Sequence, residues 1–321
     1  MAKSFRGKKP HITSGPFPSW LLTRLLVVSV ALFLSSCTCD KGPLGSATNP
    51  IKIYFVPSVD IKVLEDNSKA IKEYLEANTP YHFTVSIPTS FVAVVEAFGT
   101  HRADVSAMNT FGYLMAHERY RATARLTVLR HGSSTYQAQF VARAGGPIQK
   151  LEDLAGKRVA FVDPASTSGY LLPLKVLRER SIQPSETMFA MRHDSVISMI
   201  YQGQVDAGAT FYSPPTEGEI QDARRLVKTQ YPDVEEKIAI IELTDSIPND
   251  PIVFRAGLDE EIVNTIVDTF LKYIETPEGR QAFNSIYGVT ALQRAQDSDY
   301  DGVRQMLETL GVSAGQLAGR R

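Results

Sequence analysis

One stretch of this chain concentrates groups that can hold an anion: Asp163-Pro164-Ala165-Ser166-Thr167-Ser168-Gly169-Tyr170. It lies between an apolar strand pattern, Val159 to Val162, and an amphipathic helix pattern, Tyr170 to Arg180. In an open α/β sheet, ligands bind beyond the carboxyl ends of strands. A first helical turn offers unpaired N–H groups and the positive end of the helix dipole. Ser166, Thr167 and Ser168 add three hydroxyls, which match the several oxygens of a tetrahedral oxyanion, and Gly169 lets backbone approach a ligand closely. On spacing alone, the commoner use of such residues is to cap the helix. A second candidate is Arg192-His193-Asp194-Ser195, just ahead of a helix pattern at Ser195 to Gln202. His193 there either donates to an oxyanion or caps that helix.

Little else suggests chemistry. The chain has no P-loop, GxSxG or HExxH pattern and no cysteine nucleophile. The 6 histidines show no metal-ligand spacing, so neither a metal nor another cofactor is expected, and a lone His193 without an orienting partner does not make an enzyme.

The elements that must position these groups alternate. Strand patterns at Ile51–Val56, Phe83–Ile87, Ala103–Met108, Leu126–Leu129 and Ala138–Ala142 are interleaved with helix patterns at Ile61–Ala77, Phe91–Phe98 and Phe111–Tyr120. A second run follows, with strands at Val159–Val162, Ala207–Thr210, Ile238–Leu243 and Ile252–Arg255 and a long one-faced helix at Glu260–Thr276. A last helix pattern runs from Tyr300 to Leu310. Strands alternating with helices predict βαβ units and an α/β fold.

Composition agrees with that class. The 321 residues are 43% hydrophobic and 21% charged, ordinary for a globular chain of two domains or lobes. The net charge of -1 gives nucleic acid no basic surface to bind. Residues 1–36 hold five cations and no acid, which leaves 29 basic against 35 acidic residues in the rest. That basic head precedes an apolar run, Leu25 to Leu34, too short to span a bilayer and of the size of a signal-peptide core. Leu34-Ser35-Ser36-Cys37 follows directly and resembles a bacterial lipobox, which implies lipidation of Cys37 and attachment to the membrane at the cell envelope, facing the periplasm or the exterior. Residues 37–49, rich in Gly, Pro and small polar residues, read as a flexible tether. Cys37 and Cys39 are the two cysteines, which excludes a disulfide framework in the body.

Phe161 to Pro173 resembles the signature of the phosphate, phosphite and phosphonate substrate-binding proteins of ABC transporters. Arg102–Ala116, His193–Ala209 and Ile247–Ile252 resemble further segments of that family in the same order, so the similarity covers roughly residues 50–300. The resemblance implies two α/β lobes of the type II periplasmic-binding-protein kind, each a mixed, mostly parallel sheet flanked by helices. Lobe I would hold residues 50–140 and 250–321 and lobe II 141–249, with crossing strands near Phe140–Ala142 and Asp250–Phe254. By the same resemblance Ser166, Thr167 and Ser168 hold phosphonyl oxygens, with Gly169, His193 and Tyr136 beside them. The chain departs from aminophosphonate binders at Phe91, which lacks the family's hydroxyl, at Asn109-Thr110 in place of Gly-Pro, and at Phe211-Tyr212-Ser213, where an acid would meet an amine. These positions, Tyr212 included, imply a more aromatic and less charged pocket. The implied function is capture of a phosphonate-like oxyanion by a monomer that serves a permease and its ATPase; the alternative is a sensing partner of a membrane receptor.

Overall fold

The computed structural model describes residues 42–309. In chain order the first elements are β1 (Ile51–Phe55), α1 (Ile61–Asn78), β2 (Phe83–Ser86), α2 (Phe91–Gly99), β3 (Val105–Ala107), α3 (Thr110–Tyr120), β4 (Thr123–Leu129) and β5 (Thr135–Arg143). Then come β6 (Arg158–Phe161), one π-helical turn at Thr167–Leu171 continued by α4 (Leu172–Glu179), β7 (Glu186–Phe189), α5 (His193–Tyr201) and β8 (Ala207–Tyr212). The rest is α6 (Val234–Lys237), β9 (Ile238–Pro248), β10 (Pro251–Phe254), α7 (Glu260–Glu275), α8 (Pro277–Tyr287), β11 (Ala291–Arg294) and α9 (Asp301–Thr309), with short 3₁₀ turns between.

These strands form two mixed sheets, in the orders β11-β4-β10-β3-β1-β2 and β7-β6-β8-β5-β9. Parallel pairing holds β1 to β2 and β3 and holds β6 to β7 and β8; the remaining pairs are antiparallel. Alternation explains the first sheet. Ile51, Ile53 and Phe55 point to one face of β1 and are buried with Leu64, Ile71 and Leu75 of α1 and Val263, Ile266 and Phe270 of α7. Asp60 starts α1 by accepting from the Lys62 amide at 2.9 Å, and Asp259 starts α7 by accepting from the Glu261 amide at 2.8 Å. A second apolar cluster joins α2 and α3 of the first sheet to Val162, Ala165, Leu172 and α5 of the second.

The two sheets share two short connections. The chain leaves the first sheet after Leu129 and returns to it through Asn249 and Asp250. The crossing expected near Phe140–Ala142 therefore falls at residues 130–134, because β5 pairs along one edge with β8 and along the other with β9 and so belongs wholly to the second sheet. Asn249 binds the two connections together. Its backbone N–H donates to the Ser134 carbonyl, its Nδ2 donates to the Ser133 carbonyl at 2.8 Å, and its Oδ1 accepts from Arg130 at 2.8 Å.

The tether expected at residues 37–49 also changes. Within the described residues, 43–49 form a tight turn closed by a Ser46–Asn49 bridge, with Gly45 at φ 89° against Tyr81 and its carbonyl accepting from His82. Leu44 packs on the first sheet's apolar cluster, which holds this turn to the lobe. Cys37 and the basic head lie outside the described residues. Among the described residues no helix is long and apolar enough to cross a membrane.

Candidate functional site

The carboxyl ends of β1, β3, β4 and β6 and the starts of α2, α3, α5 and the π-turn face a cavity of about 60 Å³ on the seam between the sheets. Its wall includes Phe91, Asn109, Tyr136, Ser166, Thr167, Ser168 and His193, seven of the positions expected from the sequence.

The Ser-Thr-Ser run is both cap and wall. Ser166 Oγ accepts the Gly169 amide at 3.1 Å, which sets the first turn of the helix. The amides of Thr167 and Ser168 then stand at that first turn, where no earlier helical carbonyl exists to accept them. Thr167 reaches across the seam: its Oγ1 accepts from the Phe111 amide and from Asn109 Nδ2, both at 3.0 Å. Asn109 Nδ2 also donates to the Ala165 carbonyl at 2.8 Å. Ser168 and Tyr136 line the same wall, and the ionisation of the Tyr136 hydroxyl is pushed up by burial and then by the nearby Asp250 carboxylate.

His193 opens α5 and is almost fully buried. Its amide donates to the Ser58 carbonyl of the other lobe at 3.1 Å, and its ring stands edge-on to Phe211. Burial, helped by the charge of Arg130, lowers its pKa to about 3, so the ring is neutral at physiological pH. Its Nδ1 is buried without a partner, as is Asn109 Oδ1. Asp163 is buried as well; desolvation raises its pKa while the Ala165 amide donates to its Oδ1 at 2.8 Å.

Three expected residues stand off the cavity wall. Thr110 is buried and donates its hydroxyl to the Pro248 carbonyl at 2.9 Å, which makes it a brace between the lobes. Tyr212 lies at the half-exposed end of β8, and its neighbour Phe211 takes the wall position, since successive side chains alternate across a strand. Gly169 serves packing, because a Cβ there would sit 2.4 Å from Val162 Cγ2.

Sequence reasoning missed two wall cations, Arg130 and Arg225. Arg130 is 8% exposed and fully engaged: Nε donates to the Tyr287 carbonyl at 2.9 Å, Nη1 to Asn249, and Nη2 to Asp250 Oδ2 at 2.6 Å. Its guanidinium also lies 5.1 Å from the Tyr136 ring centre. Arg130 directly follows β4, at the same strand ends that pointed to Ser166, and that placement was the available signal. Asp250 is the one carboxylate on the wall and is paired with Arg130, so with His193 neutral two guanidiniums leave the cavity a formal charge of +1. A wall with excess positive charge, first-turn amides and hydroxyls has the chemistry to accept a compact anion.

Known proteins place this arrangement. The chain is 26% identical over 314 residues to the phosphate-import protein PhnD of Mycolicibacterium smegmatis, covering 88% of this chain and 94% of that one. It is 26% identical over 227 residues to the phosphonates-binding periplasmic protein of Escherichia coli, covering 67% and 63% of the two chains. The fold matches that of PhnD1 from Prochlorococcus marinus, solved in complex with methylphosphonate, with a TM-score of 0.70 at 17% identity over 81% of this chain and 98% of that one. Residues 53–300 match the profile described as ABC transporter, phosphonate, periplasmic substrate-binding protein. A match over that much of the chain, on two mixed sheets around a cationic seam cavity, means that this chain belongs to the substrate-binding proteins of phosphonate ABC transporters.

Proposed function

We propose that this protein captures a phosphonate-like tetrahedral oxyanion (phosphonate, phosphite or phosphate) between its lobes and delivers it to an ABC permease and its ATPase, while held to the membrane through lipid on Cys37. The observation that carries the ligand class is the convergence of the Thr167 and Ser168 first turn, Tyr136, His193 and Arg130 on one enclosed cavity. In this reading Ser168 and the first-turn amides take phosphonyl oxygens, neutral His193 donates one further hydrogen bond, and Arg130 supplies charge. Phe91 and Phe211 leave the tail an aromatic wall. The E. coli and M. smegmatis relatives, named for phosphonates and phosphate, support the same class.

Calorimetry and thermal shift across phosphate, phosphite, methylphosphonate, aminoethylphosphonate and sulfate test the ligand. At least one phosphorus oxyanion should stabilise the protein, by about 2.7 kcal/mol at a hundredfold excess over Kd. Aminoethylphosphonate should stabilise it less, because two guanidiniums oppose an ammonium group that finds one carboxylate, Asp250, already paired with Arg130. No shift with any of the five removes the oxyanion reading. The anchor is tested separately by palmitate labelling in cells: wild type should take the label and Cys37→Ala should not. Label retained in Cys37→Ala discards the lipobox.

A further inference from the structure

Arg225 adds to the positive charge of the cavity, but the oxyanion reading gives it no contact of its own. It comes from a 3₁₀ turn of the second lobe, Ala223–Val227, and crosses the seam to the carboxyl end of α8, where Nη2 donates to the Asn284 carbonyl at 3.3 Å. Its Nε is buried without a partner. A neutral carbonyl at that distance does not balance a half-buried guanidinium, and charge taken even partly out of water is costly unless paired. The acid beside it in sequence cannot serve. Asp222 gives one oxygen to the Arg224 amide and Nε and the other to Arg224 Nη2 at 2.8 Å, and Gln139 also donates to it. Asp250 is paired with Arg130.

The contacts also give Arg225 a place along the cavity. The Tyr136 ring faces Arg130, and Arg130 reaches the Tyr287 carbonyl near the end of α8, where Arg225 also arrives. The wall around that end is apolar, with Val128, Leu226 and Ile286. A wall that carries hydroxyls and first-turn amides, and beside Leu226 and Ile286 a second guanidinium whose Nε has no partner, together describe a ligand with two acidic groups. Resting on the oxyanion reading above, we propose that Arg225 forms a second subsite that takes a carboxylate on the ligand's tail, so that the preferred solutes are phosphonates bearing a second acidic group.

The test compares phosphonoacetate with phosphonoacetamide, the isostere whose tail is uncharged, by calorimetry on wild type, Arg225→Gln and Arg225→Lys, with methylphosphonate as the tail-less reference. Wild type should prefer the acid by about tenfold or more, the range of a hydrogen bond to a charged group. Arg225→Gln should bring the acid-to-amide ratio close to one, and Arg225→Lys should keep part of the preference, which a loss of fold would not. Equal affinity for acid and amide in wild type overturns the proposal, as does a preference that survives in Arg225→Gln. Equal weakening of methylphosphonate and phosphonoacetate in Arg225→Gln also overturns it, since Arg225 would then serve the phosphonyl end. If methylphosphonate and the other phosphorus oxyanions all fail to bind wild type, it is the underlying oxyanion reading that fails, and the second subsite falls with it.

Discussion

Thr167 shows how one hydroxyl can do two jobs. As an acceptor it receives the Phe111 amide and Asn109 Nδ2 from the first lobe, while its own hydrogen stays available to a ligand oxygen. Thr167→Ala strands the Phe111 amide and leaves Asn109 Nδ2 with the Ala165 carbonyl alone, at about 1–3 kcal/mol. Affinity for the best oxyanion should fall about tenfold or more, with a lower melting temperature, and Thr167→Ser should recover most of both. Calorimetry showing unchanged affinity in Thr167→Ala would reduce the residue to a structural brace. His193 makes a pH argument. Its folded pKa, about 3, lies below the ordinary 6.5, so folding favours the neutral ring. That contribution is complete above about pH 6.5 and is lost as pH falls from there towards 3, at no more than about 1.4 kcal/mol per pH unit. Urea unfolding of wild type and His193→Gln between pH 7 and 4 should give a steeper decline for wild type. Parallel declines would mean that the ring is not desolvated.

At the scale of elements, the helix that follows β6 depends on a glycine for packing. A Cβ on Gly169 would meet Val162 Cγ2 at 2.4 Å, Val162 Cβ at 2.6 Å and Ser166 Oγ at 2.8 Å. Gly169→Ala should therefore cost about 1–3 kcal/mol by overpacking and should shift the Ser166 cap and the first-turn amides enough to weaken ligand. Denaturant titration checks the first and calorimetry the second; a wild-type midpoint would place the π-turn elsewhere. Most elements here were legible because their burial is periodic: Ile51, Ile53 and Phe55 alternate, and α7 carries its apolar residues on one face. β7, α8 and β11 were not. β7 is an edge strand whose residues are mostly exposed, β11 keeps one buried residue, and α8 is diluted by Gly279, Arg280, Gln281 and Asn284. The helix starts at Ser166 and His193 were readable from their residue types. Arg130 and Arg225 were not, because arginine is usually a surface residue and only tertiary structure turns these two inward.

For the whole molecule, Asn249 sets what kind of motion is open to it. Two separate flexible links would let the lobes slide, twist and bend independently. Here residues 130–134 and Asn249-Asp250 run side by side and are cross-linked by hydrogen bonds from one fully buried amide side chain. A paired strap of that kind resists shear and torsion and leaves one easy rotation, about an axis through the strap. Arg130 is part of the strap and part of the cavity wall at once. A ligand that pressed on Arg130 would thereby act on the strap itself, and cavity filling and lobe angle would then share a single mechanical coordinate that a protein outside the cleft could sense.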